Sequence, residues 1–204
     1  MEETENKSTL DALAEIARLT NRKVFVSEAP YPGTTINPVV LHKRTVYMPD
    51  TKNDRCFLAG FSDPKSFDKN NMFFGVFFTV PYSESSTFEI RKKDTLDRMN
   101  PFLASKTHKI ESGNFNSAAV IKGNDERLMN RILVNGQTQQ LIIDALSLEG
   151  YWFAGLNAVN LSFVPDMQQH SCFGIYTRQT WITNRERIEE LFSLAAGLSK
   201  QMND

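Results

Sequence analysis

The run Met72-Phe-Phe-Gly-Val-Phe-Phe-Thr-Val80 constrains this chain more than any other stretch. It has the length of a strand and falls well short of the roughly 20 residues that cross a bilayer. Side chains alternate between the two faces of a strand, and Phe73, Phe74, Val76, Phe77, Phe78 and Val80 put apolar groups on both. Such a strand is expected to be central and covered on both sides, with helices as the cover.

The flanking segments fall into the same period of two. Val39 to Tyr47, Arg55 to Phe61 and Ser86 to Arg91 alternate, and the turn-forming stretches Asp50-Thr-Lys-Asn-Asp54, Ser62-Asp-Pro64 and Pro81-Tyr82 separate them. With Met72 to Val80 they read as an antiparallel meander. A shorter strand is expected at Lys23 to Ser27, followed by an irregular loop over Pro30 to Pro38, where Pro, Gly and Asn crowd together. Ser8-Thr-Leu-Asp11 reads as the cap of a first helix carrying Leu10, Leu13, Ala14 and Ala17.

Helical spacing returns after residue 92. Lys93 to Asn100 forms a short helix closed by Pro101; Asp125 to Leu133 and Gln137 to Leu148 form a longer pair broken at Asn135-Gly136. Strands are expected at His108 to Glu111, Ala118 to Ile121, Tyr151 to Val164 with an interruption near Gly155-Leu-Asn157, and Cys172 to Ile182. Thr183-Asn-Arg-Glu186 is a capping box for a last helix with Ile188, Leu191, Phe192, Ala195 and Leu198 on one face. Strands in runs with helices between the runs predict an α+β fold, a mixed or mainly antiparallel sheet packed by helices. The reading is one domain over 1–204, with lobes 1–92 and 93–204 as a possible subdivision.

The balance of charge narrows function. The 23 basic and 24 acidic residues leave a net charge of −1, so no overall field steers the chain to nucleic acid or anionic lipid, and no nucleic-acid role is expected. The aromatic run at Met72 begins on Asn71-Met72 where an RNA-stacking strand has a basic residue and a glycine. Cys56 and Cys172 lie far apart in apolar strand-like runs, as buried structural thiols do, and with seven methionines they suit a reducing cytoplasm. The acidic N-terminal stretch Met1 to Lys7 shows no basic segment leading into an apolar one, so no signal peptide is expected there, and no transmembrane segment is expected anywhere in the chain.

Catalytic signatures are missing from the sequence: no Gly-x-Ser-x-Gly, no Gly-rich phosphate loop, no His-Glu-x-x-His. His170-Ser-Cys172 is the only close pair of soft ligands and has no second pair beside it, so no metal, cofactor or catalytic residue is assigned. The favoured reading is a non-enzymatic interaction or scaffolding protein with a protein partner or a second copy. Its candidate surfaces are the Tyr31-Pro-Gly33 loop, Trp152 and Trp181. The alternative is an enzyme of unmarked type whose pocket assembles from dispersed residues among His42, His108, His170, Cys56 and Cys172.

The second half carries an ordered set of short phrases. Ser86-Thr-Phe-Glu-Ile-Arg91 precedes a short helix; Ser112-Gly-Asn-Phe-Asn116 leads into Ala118-Ala-Val-Ile-Lys122; Asn124-Asp125 opens a helix with Arg131-Ile-Leu133, and a second helix and two strands follow. In this order the segment resembles a family of uncharacterised bacterial domains. The resemblance implies a domain type without an established activity, found both soluble and attached to membrane segments, and it transfers no catalytic residue. From the residues themselves, Phe115 is expected to anchor a strand while Asn114 and Asn116 finish a turn.

Overall fold

The structure is a computed structural model that describes residues 2–33, 40–66, 71–99 and 107–203. Eight strands form one sheet in the order β1-β2-β3-β4-β8-β7-β5-β6, every neighbouring pair antiparallel. The strands are β1 (Phe25–Tyr31), β2 (Leu41–Pro49), β3 (Cys56–Ser62), β4 (Met72–Val80), β5 (Phe88–Lys92), β6 (Ala119–Gly123), β7 (Trp152–Leu156) and β8 (Ser171–Thr177). Among the described residues six helices accompany them: α1 (Glu2–Leu19), α2 (Thr95–Met99), α3 (Gly113–Ala118), α4 (Glu126–Leu133), α5 (Gly136–Leu146) and α6 (Arg185–Asn203). The fold is α+β.

β4 occupies the centre that its apolar run demands, and only β1 to β4 form a true meander. β5 does not continue it, because β8 pairs along β4 (Phe77 opposite Gly174) and β7 pairs along β8 (Gly155 opposite Gly174). The two halves of the sequence are thus interleaved in a single sheet.

The two faces are covered differently. On one, α1, α5 and α6 bury Leu13, Ile142, Ala145, Leu191 and Leu198 against Val46, Leu58, Phe74, Val76, Phe78, Ile90 and Ile175. On the other, Phe57, Phe73, Phe77, Cys172 and Tyr176 pack against Leu161, Val164, Phe163 and Met167 from the β7–β8 connection. Helices therefore cover one face of β4, and an irregular segment with a single 3-10 turn (Met167–Gln169) covers the other.

Several local expectations shift. α1 begins at Glu2, which places Ser8 inside the helix rather than at its cap. Phe115 is buried as expected, but on α3: the Ser112 hydroxyl caps that helix, and Asn116 uses its amide on both backbone groups of Ile110. His108 makes only an isolated bridge to Ile121. Asp125 and Asn135 cap α4 and α5, and in the last helix Asn184, one residue after Thr183, accepts from the Arg187 amide. β1 runs on through Pro30 to Tyr31, into the expected loop; the part of that loop at 34–38 lies outside the described residues, as do Val39, Asn100 and Pro101.

Candidate functional site

The strand order leaves β1 and β6 at the two edges, and the edges differ. Beside β6, the His108 amide donates to the Ile121 carbonyl at 3.0 Å and covers that edge. β1 pairs with β2 alone among the described residues, and Phe25 to Pro30 are exposed. Phe25 keeps 53% and Val26 42% of their surface in water. Pro30 has no N–H to give β2, so its nitrogen faces outward, as prolines in edge strands do. By the period of two, the backbone groups of Val26 and Glu28 face the same way. The Glu28 carboxylate, itself exposed, is tied to the neighbouring strand: Arg44 Nε donates to it at 2.7 Å, and His42 Nδ1 stands 3.8 Å away.

From the β1 edge a row of rings crosses the helix-free face. Phe25 stacks on Tyr47 at 5.7 Å, Tyr47 meets Phe57 at 5.7 Å, and Phe57 stacks on Phe77 at 6.0 Å. Phe77 stacks on Tyr176 at 6.0 Å, Tyr176 on Phe153 at 5.6 Å, and Phe153 meets Tyr151 edge-on at 5.4 Å. The row ends in a partly buried polar tie: Tyr176 donates to Glu89 at 2.6 Å, and Arg178 pairs with Glu89 at 2.7 Å while lying over the rings of Phe153 and Tyr176. Burial, then the Glu89 charge, pushes the Tyr176 phenol far above its ordinary range, so it remains a donor.

Beside the β7–β8 connection this face holds a half-open pocket of about 310 Å³. Asn157, Met167, His170, Cys172 and Tyr176 are among its lining. Asn157 takes a left-handed backbone at φ 49°, and its side chain donates to Ser86 O and Ser171 Oγ and accepts from the Cys172 amide at 2.9 Å. That one residue ties the connection to the start of β8.

The dispersed residues of the enzyme alternative are not gathered. His42 lies on β2 and His108 beyond β6, roughly 30 Å apart at the usual spacing between strands. Cys56 is buried in the helix-side core beside none of the histidines, and burial pushes its thiol up to about 12. Cys172 is buried on the opposite face, its thiol also pushed up to about 12 by burial, with His170 nearby along the chain. No three His, Cys, Asp or Glu side chains converge among the described residues. Of the candidate surfaces, Trp152 is buried and donates to Glu149 O, Trp181 lies against Phe74 at 5.8 Å, and the Tyr31 hydroxyl is bonded to Asp63. Among the described residues Phe25 and Tyr151 are large aromatics left exposed, and no sequence period marks either of them. No helix among the described residues is long and apolar enough to cross a membrane.

No family model, curated protein or solved structure matches the chain.

Proposed function

We propose that the chain is a non-enzymatic interaction module whose β1 edge receives an extended segment of a partner protein as a ninth strand. The observation that carries this reading is the asymmetry of the edges: β6 is covered by the His108 bridge, and β1 presents its outer backbone groups beside exposed Phe25 and Val26. A second copy fits this edge poorly. Two-fold pairing centred on β1 sets Glu28 against Glu28 and brings Pro30, which has no donor, opposite Val26. A heterologous strand with apolar residues opposite Phe25 and Val26 and a basic residue opposite Glu28 meets neither obstacle. Two buried free thiols support a cytoplasmic setting.

The test is to pan the purified protein against displayed peptides of about nine residues. The expected enrichment is for sequences with apolar residues at a period of two, whose binding Val26→Pro abolishes and Val134→Lys, at an exposed site away from the edge, leaves intact. Enriched peptides without that period, or binding that survives Val26→Pro, would overturn the reading. A homodimer in light scattering, abolished by Val26→Pro, would replace the heterologous partner with a second copy.

A further inference from the structure

The pocket beside the β7–β8 connection brings together three side chains that the interaction reading does not use. Cys172 Sγ lies 3.9 Å from Met167 Sδ; Cys172 belongs to the buried cluster of the helix-free face, Met167 is partly buried against it, and His170 is exposed beside them. Met167 opens the 3-10 turn, whose closing bond runs from the His170 amide to the Met167 carbonyl. His170 follows the turn in extended backbone and leads into β8, so by the period of two its side chain leaves the chain on the same side as that of Cys172. All three residues line the same pocket of about 310 Å³, which Phe77, Leu161 and Tyr176 wall on the apolar side.

We propose that Cys172, Met167 and His170 form a binding site for a soft monovalent metal ion of the copper(I) class. Thiolate and thioether sulfurs select soft ions, and imidazole completes such a set. The spacing suits one shared ion: with metal–sulfur bonds of about 2.3 Å, sulfurs 3.9 Å apart subtend roughly 115°, close to a trigonal arrangement open to a third ligand. Binding exchanges the Cys172 thiol proton for the metal: the S–H bond breaks, a sulfur–metal bond forms, and one proton leaves to solvent with no change of oxidation state. The apolar wall disfavours a free thiolate and favours its neutral metal complex.

The probe is copper(I), delivered anaerobically from a chromophoric chelator to the reduced full chain. One equivalent is expected to leave the chelator, with an ultraviolet sulfur-to-copper band. Cys172→Ser should abolish it, and Met167→Leu, which keeps the packing volume, should weaken binding at least tenfold. His170→Gln should weaken it as well, and Cys56→Ser, at the other buried thiol, should leave it unchanged. Ordinary packing of a thiol on a thioether predicts no transfer at all, and that result would overturn the proposal. Equal loss in the Cys56 and Cys172 variants, or tight binding retained in Met167→Leu, would also overturn it. Unchanged thermal melting of the metal-free Met167→Leu protein separates lost ligation from lost folding.

Discussion

At the scale of single residues, the heaviest electrostatic duty falls on Arg22, a position that no sequence pattern singles out. Its side chain is 1% exposed, pairs with Asp50 at 2.9 Å and with Glu189, and lies 4.2 Å over the ring of Phe192. It thereby joins the end of α1 to the β2–β3 turn and to α6. Removing one member of a buried pair leaves the other uncompensated, so Arg22→Ala is expected to cost about 3 kcal/mol, lowering the thermal midpoint by roughly 6–12 °C. Arg22→Met combined with Asp50→Asn should recover part of that loss in calorimetry. Asp97 gives a pH signature instead. Paired with Arg91 at 2.6 Å, its carboxyl is held down to about 2, chiefly by the hydrogen bond from Arg91. A carboxyl whose folded value is depressed stabilises above its unfolded value and loses that contribution as pH falls. Stability should therefore drop between about pH 4 and pH 2, and denaturant melts of Asp97→Asn should show a flatter slope in that window.

At the scale of elements, the β7–β8 connection is an irregular segment doing what a helical layer does on the other face. It holds by Leu161, Val164, Phe163 and Met167 in the aromatic cluster and by the Asn157 side chain with its bonds to Ser86, Ser171 and Cys172. Asn157→Gly keeps the left-handed backbone accessible and removes those bonds, which isolates their role. The expected result is faster amide hydrogen exchange confined to 157–170, with a global cost of about 1–3 kcal/mol. Exchange that also speeds in α6 would show instead that the two faces are energetically one unit. Gly174 sits under the ring of Phe77, where any Cβ would overlap it, so Gly174→Ala should destabilise by about 1–3 kcal/mol in the same melts.

At the scale of the whole molecule, the sheet is built from strands that meet long after they are synthesised. Phe77 pairs opposite Gly174 and Phe88 opposite Leu156, so the centre closes only when β7 and β8 enter between β4 and β5. Long-range antiparallel pairing of this kind slows folding relative to local contacts. What was legible in the sequence follows range. The both-faced apolar run of β4, the α+β class, the burial of Cys56 and Cys172 and the helical period of α4 to α6 all depend on spacings of a few residues, which chain geometry imposes locally. The local residues point to Phe115 as a core anchor on a strand; its burial holds, but on a helix set by the Ser112 cap and the Asn116 bonds to Ile110. Pairing between distant segments decided the rest: the insertion of β8 and β7, a β1 edge unpaired among the described residues, the covered edge at β6, and the meeting of Met167 with Cys172. A period of two states that a strand has an apolar face, but not which strand lies beside it. That choice was made by complementary packing across the assembled sheet, where Phe77 fits over a glycine and Arg22 finds both of its carboxylates.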